Sequence, residues 1–184
     1  MLSIAAHTLG CKVNQYDTQA MLELFAEAGF QEVPFSEKAD IYLVNTCTVT
    51  GTGDRKSLQL ARRLKREHPS SLLILCGCMA QHQADKLFET GADLVLGTQR
   101  RGEVVSLVQS VLRTGQKCCA VDPLLPGVPF ERLRISSHHD HTRVTLKIQE
   151  GCNNHCTYCI IPQVRGPVRS RPLSDISISP ARFS

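Results

Sequence analysis

Four times within its first 115 residues the chain passes from a short apolar stretch into one with helical spacing, and that alternation restricts the fold more than any other feature. The apolar stretches are "LSIAAHTL" (2–9), "DIYLVNT" (40–46), "SLLILCG" (71–77) and "DLVLG" (93–97); after them come "NQYDTQAMLELFAEAG", "DRKSLQLARRLKREH", "QADKLFETG" and "EVVSLVQSVLRTG". In the first helical stretch Met21, Leu22, Phe25 and Ala28 recur every three or four residues, and Gly29 ends it. Strands separated by helices pair in parallel, and a parallel sheet is covered on both faces. An α/β domain is therefore expected over residues 1–121.

Asp122 to Phe130, "DPLLPGVPF", holds three prolines and a glycine, so residues 122–142 are expected to form a linker. "HTRVTLKIQE" then alternates Val144, Leu146 and Ile148 with Thr145, Lys147 and Gln149, which predicts a strand opening a second unit over 143–184. No apolar run reaches the roughly 18 residues of a membrane span, so no membrane contact is expected. "MLSIAAHTLGC" has no basic leader segment, which predicts a cytoplasmic location and reduced thiols.

In that compartment nine cysteines, an odd number, point to ligation rather than to a disulfide framework. Cys152, Cys156 and Cys159 lie within eight residues on a loop entered through Gly151. Three such thiolates could each bind one iron of a [4Fe–4S] cluster and leave the fourth iron open to another ligand. With His155 as a fourth ligand the same loop could instead close around zinc. Cys11, Cys47 and Cys78 each lie at or just beyond the end of an expected strand. The carboxyl ends of parallel strands share one crevice, so these three could meet there; any one alone reads as a buried, inert thiol.

Cys76, Cys118 and Cys119 read as structural, and the His138–His141 run as a solvated turn. The formal net charge of +4 is mild, but basic residues are concentrated in "RRLKRE" (62–67) and "VRGPVRSR" (164–171). The first reads mainly as a solvated helix face, with RNA contact a secondary reading. In the second, Arg165, Arg169 and Arg171 follow the cysteine loop and are expected to meet RNA phosphates.

The cysteine loop, with Tyr158 before its last thiol, resembles the radical S-adenosylmethionine signature. "LKIQEGCNNHCTYCIIPQVRGPVRSR", "TLGCKVNQYDT", "VNTCTVTGTGDRKS" and "GCMAQ" resemble the methylthiotransferases of that superfamily, closest to those acting on threonylcarbamoyladenosine in tRNA. The resemblance runs from about Ile4 to Leu173. It implies a Rossmann- or flavodoxin-like N-terminal methylthiotransferase domain, followed by the first strand and cluster loop of a radical (β/α) barrel. It further implies two [4Fe–4S] clusters, one on Cys11, Cys47 and Cys78 and one on Cys152, Cys156 and Cys159, with S-adenosylmethionine at the second beside Tyr158. The implied reaction inserts a methylthio group at carbon 2 of the modified adenine at tRNA position 37. The implied partners are tRNA and an electron-donor protein, and a monomer is expected. Sister enzymes act on isopentenyladenosine or on a ribosomal protein, and a non-catalytic iron–sulfur or zinc module is the alternative class.

A complete (β/α)8 barrel takes about 250 residues, whereas only residues 143–184 follow the linker. Beyond Leu173 the helical pattern fails in "SDISISPARFS". The expectation is a fragment, frameshift or early stop, with a mobile or misplaced stub cut by proteases after about Pro123.

Overall fold

The computed structural model describes residues 1–133, 135 and 145–176. Its centre is a six-stranded, wholly parallel sheet of β1 (Ser3–Thr8), β2 (Gln31–Glu32), β3 (Ile41–Thr46), β4 (Leu72–Gly77), β5 (Leu94–Leu96) and β6 (Cys118–Ala120), in the order β2-β1-β3-β4-β5-β6. This is the flavodoxin-type doubly wound order with one further strand beyond β5. The central strands β3 and β4 are buried along their whole length, as strands covered on both faces must be, which is why their sequences are nearly unbroken apolar runs.

The helices divide between the two faces. On one, α1 (Lys12–Glu27) and α5 (Val104–Thr114) bring Met21, Phe25, Val104 and Val108 against Ile41, Leu43, Ile74 and Leu94. On the other, α2 (Gly51–Glu67), α3 (Cys78–His82) and α4 (Ala84–Phe88) bring Ala61, Leu64, Met79 and Leu87 against Tyr42, Val44, Leu73 and Val95. Alternate residues of β3 thus serve opposite cores, the period of two expected of a strand. Each large apolar side chain buried in this way stabilises the domain by about 1.5–3 kcal/mol.

The α2 helix shows how local sequence sets an element's ends. The Thr50 side chain accepts the Gly53 amide at 3.1 Å as an N-cap, Asp54 lies in the first turn, and Lys65 and Arg66 lie in the last. Each group opposes the partial charge of its helix end.

The second unit departs from expectation. The strand expected from Val144 is confined, among the described residues, to β7 (Gln149–Glu150), paired antiparallel with β8 (Arg169–Ser170). Between them lie the cysteine loop and α6 (Ile161–Arg165), and a 3-10 turn follows at Leu173–Asp175. Its facing is also the reverse of what the alternation suggests: Leu146 and Ile148 are 37% and 53% exposed, while Lys147 is buried. The cause lies in the first domain, where the Asp17 carboxylate accepts from Lys147 Nζ at 2.7 Å. The His138–His141 run and the chain beyond Ile176 lie outside the described residues.

The described end of the chain is packed against the first domain, not held off it as a mobile stub. Gln81 Nε2 donates to the Asp122 carbonyl at 2.9 Å, Thr98 Oγ1 to the Val164 carbonyl at 2.8 Å, and Tyr16 Oη to the Leu133 carbonyl at 3.0 Å. Phe130, Leu133 and Val164 are buried.

Candidate metal centre

Where β1, β3 and β4 end, the chain turns at once into α1, α2 and α3, and a cysteine stands at each turn. Cys11 is the residue before α1, Cys47 follows β3, and Cys78 opens α3. The order β2-β1-β3 reverses direction between β1 and β3, so the crevice where a doubly wound sheet binds ligands opens beside these turns.

All three residues stand at these turns. A Cβ placed on Gly10 would lie 2.8 Å from Cys47 Sγ, so the turn after β1 runs directly against the thiol after β3; only a glycine, at φ +103°, permits that approach. Cys78 lies within electrostatic range of both others: burial pushes its pKa up, the Arg165 guanidinium opposes that, and Cys47 and Cys11 add to the rise. Cys47 and Cys78 are 8% and 3% exposed, and Cys11 is exposed. Asn14 ties the turns together, its Nδ2 donating to the Leu9 carbonyl at 2.8 Å and the Thr46 carbonyl at 3.0 Å.

The second set shares one loop. Cys152 and Cys159 are half-buried and Cys156 is exposed. The Cys159 amide donates to the Cys156 carbonyl at 3.0 Å, closing a turn, and His155 has φ +44°. The Cys152 amide donates to the Gly166 carbonyl at 3.0 Å, which fixes the loop's entry to its exit. Tyr158 is 90% exposed. Cys76, by contrast, is core: its thiol faces the Val44 carbonyl at 3.7 Å, and burial pushes its pKa far up.

Between the two cysteine sets lies a buried ionic cluster that the sequence pattern did not announce. Asp17 and Glu150 face Arg101, Lys147 and Arg165, all at most 6% exposed at the side chain. Arg101 Nη2 donates to Glu150 at 2.8 Å and pairs through Nη1 with Asp17; Lys147 Nζ lies 3.1 Å from Glu150. Arg165 donates to Asp17 at 2.8 Å, pairs with Glu150, and reaches Asn14 Oδ1 at 2.5 Å and Cys78 Sγ at 3.4 Å. Burial alone would raise the pKa of both carboxyls; the charges of Arg101, Lys147 and Arg165 outweigh it and leave both lowered, hence ionised.

Arg165, Arg169 and Arg171, expected to present guanidinium groups to RNA, are 4%, 8% and 6% exposed. Arg169 Nη2 donates to the Arg165 carbonyl at 2.9 Å and Arg171 Nη2 to the Leu133 carbonyl at 3.0 Å. Their physical role in this packing is internal: carboxylates and carbonyls within the fold accept from their Nη groups, while Arg169 Nε and Arg171 Nε are buried without a hydrogen-bond partner among the described residues. A cluster of exposed basic side chains lies on α2, where Arg55, Arg62, Arg63 and Arg66 line a recess of about 320 Å³ with Leu58 and Gln59.

A sequence signal for part of the cluster existed. Asn14, Asp17 and Thr18 continue the stripe of Met21, Leu22 and Phe25 at helical spacing, so a buried face was running into polar residues. Nothing local marks Arg101, Lys147 or Glu150.

The donor chemistry fits iron–sulfur groups: two sets of three thiols, each thiolate able to hold its own iron. Among the described residues no group of three or more Cys, His, Asp or Glu side chains is arranged to hold a single metal ion. No helix among them is long and apolar enough to cross a membrane.

Residues 3–97 match the model of a family described as uncharacterized protein family UPF0004. The chain is 44% identical over 177 residues to threonylcarbamoyladenosine tRNA methylthiotransferase MtaB of Bacillus subtilis, covering 96% of this chain and 39% of that protein. It is 36% identical over 171 residues to tRNA-2-methylthio-N(6)-dimethylallyladenosine synthase of Thermotoga petrophila, covering 92% of this chain and 38% of that one. The chain thus spans about two fifths of the length of these relatives. Among solved structures, the response regulator DrrB of Thermotoga maritima overlays with a TM-score of 0.49 at 18% identity, over 64% of this chain and 55% of that one.

Proposed function

The chain belongs to the UPF0004 family, and from that membership and its two cysteine sets we propose that it serves a tRNA methylthiotransferase of the cytoplasm. The nucleoside acted on is N6-threonylcarbamoyladenosine at tRNA position 37, methylthiolated at carbon 2. The 44% identity to a relative bearing that name, against 36% to one named for dimethylallyladenosine, supports this choice over the sister substrate. The observation that supports the reading is the position of Cys11, Cys47 and Cys78 at the strand ends beside the switch point of the sheet, with Cys78 joined through Arg165 to Glu150 at the stem of the loop of Cys152, Cys156 and Cys159.

The work is divided among the residues by position. Cys11, Cys47 and Cys78 would hold one [4Fe–4S] cluster and Cys152, Cys156 and Cys159 a second, with S-adenosylmethionine beside the second set and Tyr158. When bound, these groups and an external electron donor supply the radical and sulfur-transfer chemistry. The protein's part is placement. The strand ends hold two thiols away from water, Asn14 fixes the turns, and Arg101 locks Glu150, two residues before Cys152, onto the first domain, whose Asp17 also pairs with Lys147 and Arg165. The exposed basic face of α2 is the surface offered to tRNA phosphates; Arg55 and Arg66 lie about 16 Å apart along it at the helical rise. The chain acts as a monomer.

Nucleoside mass spectrometry of tRNA from cells lacking the gene tests the substrate. Loss of 2-methylthio-threonylcarbamoyladenosine with isopentenyl-type methylthiolation intact is the expected result, and the reverse pattern reassigns the enzyme. On the purified chain, anaerobic reconstitution is expected to give about eight irons and release of 5′-deoxyadenosine from S-adenosylmethionine. One bound zinc and no release would instead mark a non-catalytic module.

A further inference from the structure

We infer that Arg165 is a positioning residue which donates a hydrogen bond to the sulfur of Cys78, so tuning the group held by the first cysteine set, and which ties that set to the loop of the second. The inference rests on the reading of Cys11, Cys47 and Cys78 as cluster ligands. Arg165 ends α6, and its side chain is 5% exposed. Its Nε points at Cys78 Sγ at 3.4 Å, while Nη1 is held by Asp17 at 2.8 Å and by Glu150, and Nη2 by Asn14 Oδ1 at 2.5 Å. With both ends of the guanidinium fixed by three other groups, its third edge has one direction left, toward the sulfur.

Hydrogen bonds and positive charge at a ligand sulfur stabilise the reduced, more negative state of an iron–sulfur group and so raise its reduction potential. A bond from a guanidinium to a thiolate is charge-assisted, among the stronger ones available. The same side chain bonds Glu150, which is followed by Gly151 and Cys152. One rigid fork therefore touches a ligand of the first set and the stem of the second. A lysine could not do both, because its single ammonium can serve the carboxylates or the sulfur but lacks the planar fork that spans them.

The test uses the full chain carrying Cys152→Ala, Cys156→Ala and Cys159→Ala, so that only the first set can load, reconstituted anaerobically with iron and sulfide. Potentiometric titration followed by electron paramagnetic resonance compares it with the same chain bearing Arg165→Lys, or bearing Arg101→Lys. Arg101 serves the same two carboxylates, with its remaining bond going to Glu131, and is the matched control for a purely structural loss. The expected result is a more negative midpoint potential in Arg165→Lys and an unchanged one in Arg101→Lys, with similar thermal unfolding in both. Selective loss of iron from a folded Arg165→Lys chain would support the same role. Equal potentials in all three, or equal shifts in the two variants, would overturn it. Should Arg165→Lys not fold, Arg165→Gln, which keeps a neutral donor, carries the comparison with the same expected direction. Failure of the parent chain to bind any iron would sink the cluster-ligand reading itself, and this inference with it.

Discussion

Asp17 concentrates the residue-scale argument, because a carboxylate with 2% of its side chain exposed is tolerated only while its cations remain. Removing one member of such a set leaves charge buried without compensation, so Asp17→Asn should cost about 3 kcal/mol or more, read as a lowered midpoint in urea unfolding. The pH dependence has a definite sign. Burial acts to raise the Asp17 pKa, but Arg101, Lys147 and Arg165 leave it below its ordinary value. Its stabilisation is thus complete above about pH 3.9, where the unfolded residue ionises, and is lost as pH falls through the lower folded value. Thermal unfolding between about pH 4 and pH 2 should fall more steeply for the parent than for Asp17→Asn. Gly151 makes a different point: at φ +81° a Cβ there would press on the Gly166 carbonyl at 2.6 Å. Gly151→Ala should therefore displace Cys152 and reduce the iron bound after reconstitution by about half, to the content of one cluster. Retention of the full iron content would contradict this.

Among the elements, α2 joins a capped start near Cys47 to an exposed basic face. The basic residues of its 62–67 segment were legible as a solvated face from the sequence, and the structure places Ser57, Ala61 and Leu64 on the buried side. What the spacing could not convey was that the more obvious basic segment, from Arg165 to Arg171, would be turned inward. Glutamates at 62 and 66 (Arg62→Glu with Arg66→Glu) should weaken tRNA binding and lower the slope of log affinity against log salt by roughly one for each phosphate no longer neutralised. Filter binding at several salt concentrations would check it, and an unchanged slope would remove α2 from the RNA surface. The β7 strand teaches the same lesson in reverse. An alternating segment was readable before it, but its facing was decided by Asp17, which draws Lys147 inward and leaves Leu146 and Ile148 outside.

For the whole molecule, the described end of the chain and the α/β domain share one buried ionic cluster, so they are expected to unfold together. Amide exchange under mild denaturant should show the Arg171 amide, bonded to the Ile148 carbonyl at 2.8 Å, opening in the same step as the amides between β3 and β4. Earlier opening of the Arg171 amide would mean that the ion pairs do not couple the two parts.

Local pattern alone determined the parallel α/β architecture, the places where the strands end, and the six cysteines set at turns and on one loop. Strand and helix periods are properties of neighbouring residues, so they can be read without knowing the rest of the chain. Tertiary structure decided which charges are inside. A buried arginine or carboxylate is stable only beside partners of opposite charge that here lie as many as 148 positions away, as Arg165 does from Asp17, and no local pattern carries that information.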